Sequence, residues 1–145
     1  MRRLALVLAV NVLTGCGDGP TAPTSRIPEV AGTYTGPLTM QVTANDSLQG
    51  SARLDVAQAG AQLTITGSMT LLGMTAQLPA IPGTIDEMGL FIPAAGGAAG
   101  VVNDSCGRVN TTSTDITFSG RTVRWEETAS TEFCNDFALS GTLSR

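Results

Sequence analysis

The chain has 145 residues, a length that allows one domain with one hydrophobic core. Its formal net charge is −4, and it contains no histidine and no lysine. The acidic balance argues against a nucleic-acid partner, because binding to nucleic acid depends on Lys and Arg neutralising phosphates. Without His or Lys, the Ser-His-Asp, Cys-His, Ser-Lys and Schiff-base arrangements are unavailable, so we expect neither an enzyme nor a cofactor or histidine-dependent zinc site.

Residues 1–15 have the pattern of an export signal. Arg2 and Arg3 precede an apolar run over 4–13. That run is too short to span a bilayer, which needs roughly 20 apolar residues, but its length is typical of a secretory signal. The run ends in Leu-Thr-Gly-Cys16. The whole segment resembles the signal peptide and lipobox of bacterial lipoproteins, in which the cysteine is lipid-modified and becomes the mature N-terminus.

The lipoprotein resemblance implies a location in the cell envelope. The membrane would be contacted through acyl chains on Cys16. In the family, an aspartate directly after the cysteine favours retention in the inner membrane, and Gly17 stands there instead. This favours the outer membrane. An ordinary signal peptide followed by a free cysteine is the alternative.

Residues 16–29 are rich in Gly, Pro and Thr, so they cannot bury a core and are predicted to form a flexible tether. Beyond them, at 30–145, apolar residues alternate with polar ones as strands require. The predicted turns are Ala59-Gly60-Ala61, Glu87-Met88-Gly89 and Ser119-Gly120, and a bulge or bend is predicted at Gly67.

The predicted fold is all-β, a single antiparallel meander of about eight strands. It closes into an up-and-down barrel or stacks into a sandwich. The inward positions of such a domain are predicted from the alternation: Leu54, Val56, Ile65, Phe118, Val123, Trp125 and Leu139.

The segment Gly32-Thr33-Tyr34-Thr35-Gly36 opens the first strand. It resembles the Gly-x-Trp start of lipocalins and related calycin barrels, with Tyr34 in the position of the tryptophan. The resemblance implies a lipocalin-like barrel with a binding or structural role in the envelope. Packing alone also favours Gly-x-aromatic at strand starts, so a plain strand is the alternative.

The three cysteines leave one thiol unpaired in an exported protein. If Cys16 carries lipid, Cys106 and Cys134 can form a disulfide, which an oxidising compartment permits. The alternative is that both are buried and reduced. A disulfide would bring Asp104 and Asp136 close together, and such oxygen ligands suit calcium. Asp and its neighbours Asn and Ser are also ordinary turn residues, so we predict turns and no metal site.

Trp125 is predicted to pack in the core, with Arg124 on the opposite face of the strand, where it can pair with Glu126 or with a neighbouring strand. A ligand contact by Trp125 inside a barrel is the alternative. Glu126 and Glu127 should point to opposite faces, which makes them a poor general acid/base couple.

Two functions follow from this fold class. The first is a non-catalytic barrel that binds a small apolar ligand. The second is a structural or protein-interaction module of the envelope, filled by its own side chains. An internal cavity of at least roughly 300 Å³ would distinguish the binder from the filled module.

Overall fold

The computed structural model describes residues 26–95 and 109–145. These residues form eight strands: β1 (Gly32–Gln41), β2 (Ser47–Ala59), β3 (Gln62–Leu71), β4 (Met74–Ile85), β5 (Leu90–Pro93), β6 (Val109–Ser119), β7 (Thr122–Thr131) and β8 (Phe137–Ser144). Each strand pairs antiparallel with the next, and β1 pairs with β8 to close a barrel. The all-β meander is confirmed, and of the two predicted architectures the barrel is the one that forms.

Inward-facing residues alternate with outward-facing Thr, Ser and charged residues along the strands. All seven predicted inward residues are buried and belong to one hydrophobic cluster. The inward positions are therefore confirmed. Among the described residues, the members of the cluster are Val30, Tyr34, Leu38, Ala52, Leu54, Val56, Leu63, Ile65, Ile85, Phe91, Ile116, Phe118, Val123, Trp125, Leu139 and Leu143.

The three predicted turns connect consecutive strands, and in each a glycine has positive φ: 63° at Gly60, 85° at Gly89 and 58° at Gly120. Side chains with a Cβ rarely adopt this region, so glycine fits there. The predicted irregularity at Gly67 is also confirmed, because the β3–β4 register shifts between Ile65 and Gly67. A Cβ on Gly67 would lie 2.1 Å from the backbone oxygen of Arg53, so the close approach of β2 requires glycine.

The sequence pattern predicted only the end of β4. Pro79 and Pro82 argue against a central strand, since proline cannot donate to the ladder. In the structure Pro79 lies within the β3–β4 register shift. Pro82 contributes its carbonyl oxygen, which accepts a hydrogen bond from the Ala94 N–H at 2.9 Å. Pro79 thus lies where the ladder is interrupted, and Pro82 joins the chain after β5 through its carbonyl oxygen.

Strand β5 is the shortest of the eight and makes the thinnest contact in the barrel wall. It pairs with β4 through three residue pairs and with β6 through two. By contrast, β1 and β2 share ten pairs. The wall is therefore continuous, but it is weakest at β5.

One end of the barrel is closed by the segment 27–31, which we call the strap. It crosses the end where β1 begins, and Val30 is only 2% exposed. Gln58 holds the strap from both sides: its Oε1 accepts from Val30 N–H at 2.7 Å, and its Nε2 donates to the Pro28 carbonyl at 2.8 Å. We call this end the closed end, and the opposite end, with the β1–β2, β3–β4 and β7–β8 connections, the open end.

Tyr34 and Arg145 complete the closed end. The Tyr34 hydroxyl donates to the Val30 carbonyl at 2.8 Å, and its ring meets Phe118 edge-on at a centroid distance of 5.6 Å. Burial raises the pKa of Tyr34 above its ordinary value. The Arg145 guanidinium lies 5.6 Å from the Tyr34 ring centroid and donates to the Ala31 carbonyl at 2.6 Å. The strap is thus held by the core below it and by β2 and the end of β8 beside it.

Candidate functional site

Trp125 lies in the core, as predicted, and is 2% exposed. Its neighbour Arg124 points outward and pairs with Glu126 at 2.5 Å, which is one of the two predicted partners. The indole Nε1–H of Trp125 donates to Glu127 Oε2 at 3.2 Å. The indole ring is buried, and its polar N–H group is hydrogen-bonded to Glu127.

Glu127 points into the barrel, opposite to Glu126, so the predicted separation of the two carboxylates is confirmed. Besides the indole, it accepts a hydrogen bond at Oε1 from the Thr111 hydroxyl at 2.9 Å. Burial raises the pKa of Glu127, and the hydrogen bonds from Thr111 and Trp125 oppose that rise. Glu127 is therefore a half-buried carboxylate that faces the interior and is held by two side-chain hydrogen bonds.

The strand register places this carboxylate among both polar and apolar inward side chains. Glu127 is opposite Thr114 on β6 and Leu139 on β8, and Leu139 is opposite Met40 on β1. One row of inward residues therefore crosses β6, β7, β8 and β1, and its members are Thr114, Glu127, Leu139 and Met40. The next row towards the open end places Thr111 opposite Ala129.

Apart from Ala129, which is 2% exposed, a set of inward residues nearer the open end is half-buried, in contrast to the core beneath them. We call this set the open half of the barrel: Met40, Met69, Leu78, Thr111, Thr114, Glu127 and Phe137. Its apolar members Met40, Met69, Leu78 and Phe137 pack against the core cluster. The interior is therefore filled at the level of Trp125, and the side chains of the open half are less completely buried than those below.

Charge is distributed unevenly between the interior and the surface. Every arginine of the described ranges is exposed. Arg53, for example, pairs with Asp55 on the outer face, and this contact lowers the pKa of Asp55. Within 26–95 and 109–145, Glu127 is thus the charged group that faces the interior, with no cation beside it.

A groove of about 550 Å³ lies on the outer face of β2 to β5. Outward side chains such as Ala57, Thr64, Thr84 and Ile92 line it, and none of its lining residues is ionisable. It offers a shallow apolar surface but no group that could do chemistry. It is also separate from the open half.

The predicted lipidation and disulfide sites fall largely outside the described residues. Cys16, Cys106 and Asp104 lie there. Cys134 lies in the connection between β7 and β8, and its disulfide with Cys106 stays a prediction. Asp136 accepts from the Thr131 N–H at 3.2 Å, in the way of a turn residue. Among the described residues, no three His, Cys, Asp or Glu side chains gather as a metal site.

The part of Glu127 in this site was missed from the sequence, although a signal for it was present. Val123, Trp125, Glu127 and Ala129 occupy alternate positions of one strand, so a core tryptophan at 125 implies an inward carboxylate at 127. The contact with Thr111 could not be found in this way, because a register shift between Thr111 and Ser113 displaces that part of β6.

No protein-family model, curated protein or solved structure matches the chain. The class of protein therefore follows from the fold, which is an eight-stranded antiparallel up-and-down barrel closed at one end. This architecture is compatible with the lipocalin-like barrel that the Gly-x-aromatic resemblance implies, and with ligand binding. The described part of the chain contains no helix long and apolar enough to cross a bilayer.

Proposed function

We propose that this chain is a lipid-anchored, non-catalytic protein of the cell envelope whose barrel binds a small apolar ligand in its open half. The observation that carries the proposal is Glu127. It faces the interior, accepts hydrogen bonds from Thr111 and Trp125, and shares a register row with Leu139 and Met40. A mostly apolar, concave surface with a few convergent polar groups is the usual form of a small-molecule site.

The depth of the site is set by the core. Trp125 lies one row below Glu127 and Leu139 lies in the row of Glu127 itself, and each is 2% exposed. A ligand would therefore rest on these residues and contact Met40, Met69 and Phe137 at the sides. Methionine side chains adapt easily to the shape of a bound molecule, which suits them to such walls.

The proposed anchor is the lipid on Cys16, with residues 16–29 as the tether and the outer membrane as the favoured location. The strap supports a particular orientation. The chain enters β1 at the closed end, so a tether of this kind would attach there, and the open half would be directed away from its attachment. We also propose the Cys106–Cys134 disulfide, for which the oxidising envelope is suitable.

A structural or protein-interaction module is the second candidate. Two observations favour it: the interior is filled at the level of Trp125, and large apolar side chains are exposed on open-end connections and on the adjoining strand. Leu72, Met74 and Phe133 are 68%, 71% and 74% exposed. Such side chains are typical of protein contacts when they are contiguous.

Native mass spectrometry of the full-length protein, extracted from the membranes of its own host, separates the two candidates. Binding predicts a small molecule that leaves on collisional activation, and Met40→Trp should abolish it by filling the open half. Thr39→Trp is the matched control, since Thr39 lies on the same strand and bonds Gln49 on the outer face. A ligand-free mass with a bound protein would overturn the binder in favour of the module.

A further inference from the structure

We infer that the open half selects a neutral or cationic amphiphile with a hydrogen-bond-donating head, a hydroxyl or an ammonium, and rejects anionic amphiphiles such as fatty acids. The inference rests on the proposed function and names the chemical class of its ligand. Three features of the described residues support it: the free acceptor sites of Glu127, the position of the arginines, and the apolar walls.

Glu127 has acceptor capacity to spare. An ionised carboxylate accepts at about four lone-pair sites and donates nothing. Thr111 occupies one site on Oε1, and the Trp125 indole occupies one on Oε2. A ligand head that donates can therefore use the remaining sites, while a head that only accepts finds no donor on this carboxylate.

No described cation is placed to neutralise an anionic head. Arg121 lies at the closed end, where it donates to the Arg145 carbonyl at 2.8 Å. Arg145 donates to the strap, and Arg53 and Arg124 pair with carboxylates on the outer face. An anion in the open half would meet Glu127 in a partly desolvated setting, where like charges repel more strongly than in water.

The apolar part of the ligand has its own contacts. Met40 reaches the open half from β1, Met69 from β3, Leu78 from β4 and Phe137 from β8. Met40 shares a register row with Glu127 through Leu139, while Met69 and Leu78 face the interior from strands that do not pair with β7. An alkyl or ring body of the ligand would cover them, and its donor head would remain at the carboxylate.

Three eight-carbon probes test the inference: octylamine, 1-octanol and octanoate, which differ mainly in head-group charge. Each is titrated at pH 8 into the full-length chain held in a non-ionic amphipol, and binding is read from tryptophan fluorescence. Trp125 is the chain's one tryptophan and touches Glu127, so it reports on the site directly. We expect octylamine and octanol to bind at least about tenfold more tightly than octanoate, as for a hydrogen bond to a charged group.

Two variants assign the selectivity to the carboxylate. Glu127→Gln should weaken the binding of octylamine. It should also narrow the difference in affinity between octanol and octanoate, because a glutamine side chain donates hydrogen bonds as well as accepting them. Glu126→Gln, on the outer face of the same strand, should leave all three affinities unchanged. Equal binding of the three probes to the unmodified chain, or unaltered selectivity in Glu127→Gln, would overturn the inference and leave the proposed function standing. Failure of every probe to bind would count against the proposed function itself.

Discussion

Glu127 combines two opposing contributions to the free energy of folding. Moving a carboxylate towards the interior removes part of its hydration, which disfavours the charged form. The hydrogen bonds from Thr111 and Trp125 compensate for part of that loss. Since burial is the larger cause, the pKa of Glu127 is raised in the folded protein.

The raised pKa of Glu127 predicts how stability depends on pH. In the unfolded chain this carboxyl loses its proton near the ordinary value of 4.5. Between that value and the raised pKa of the folded state, the folded protein holds more protons, so the free energy of unfolding should fall as pH rises. Above the raised pKa the contribution of this group becomes constant.

Glu127→Gln should remove this contribution, so that the variant gains stability relative to the unmodified protein as pH rises through the same interval. Urea denaturation at a series of pH values between 4 and 8 measures the difference, and comparison with Glu126→Gln removes the general effect of deleting one negative charge. A difference that does not change with pH would contradict the prediction.

Tyr34 offers a second prediction. Tyr34→Phe keeps the ring that packs against Phe118 but leaves the Val30 carbonyl without the hydroxyl that donates to it. We expect a loss of about 1 kcal/mol in the free energy of unfolding, the usual value for one hydrogen bond. Thr64→Val, which removes an exposed hydroxyl from a strand, should change the same free energy by less than about 0.5 kcal/mol. Equal effects of the two variants in urea denaturation would show that this hydroxyl does not hold the strap.

The β3–β4 hairpin contains a backbone conformation that its side chain disfavours. Its two-residue turn is Leu72-Gly73, with φ of 52° and 78°. Both central residues of this type of turn need positive φ, for which Asn-Gly is preferred. Leu72 is also 68% exposed, so packing contributes little to its retention there.

Leu72→Asn should therefore stabilise the barrel by about 1 kcal/mol, since a left-handed residue with a branched apolar side chain costs roughly that amount. Calorimetry would show the gain as a higher Tm. Gly73→Ala is the opposite control and should lower the Tm, because a Cβ is introduced at φ 78°. A lower Tm for Leu72→Asn would indicate that the exposed leucine has a stabilising contact.

The sequence predicts some strands of the barrel better than others. Strands with clean alternation, such as β2 and β7, were predicted together with their inward residues, because alternation is a local property. Most of β4 was not, since Pro79 and Pro82 contradict a central strand when the neighbouring strands are unknown. The strap was assigned to the tether or the start of the domain, because its contacts with Gln58 and Arg145 join residues distant in sequence.

At the scale of the whole molecule, the choice between barrel and sandwich could not be made from the pattern. Both architectures bury one face of each strand. The barrel depends on the pairing of β1 with β8, which joins residues about a hundred positions apart. The Glu127 site was likewise readable only in part: its inward direction follows from alternation, while its partner Thr111 depends on an irregularity in β6.

The strands differ in how many residues they pair with their neighbours, so their backbone amides should differ in protection from hydrogen exchange. The β5 amides should exchange with deuterium faster than those of β1 and β2, because β5 has three and two pairs with its neighbours, where β1 and β2 share ten. Regions with few ladder bonds open with lower free energy, so a difference of about tenfold or more in exchange rate is expected. Hydrogen exchange resolved by NMR or mass spectrometry gives the rates. Equal protection of β5 and β2 would mean that the barrel opens as one unit.

The position of β1 also determines how the domain responds to mechanical force. Whatever precedes Arg26 pulls on the strap and then on β1, along the direction of that strand. Its ten register pairs with β2 and five with β8 lie on its two edges, so a pull stretches both ladders in shear rather than peeling one bond at a time. The weakly paired β5 lies outside this line of force. A barrel held in this way would resist unfolding by a pull on the chain before β1, while β5, its thinnest wall, remains unstressed.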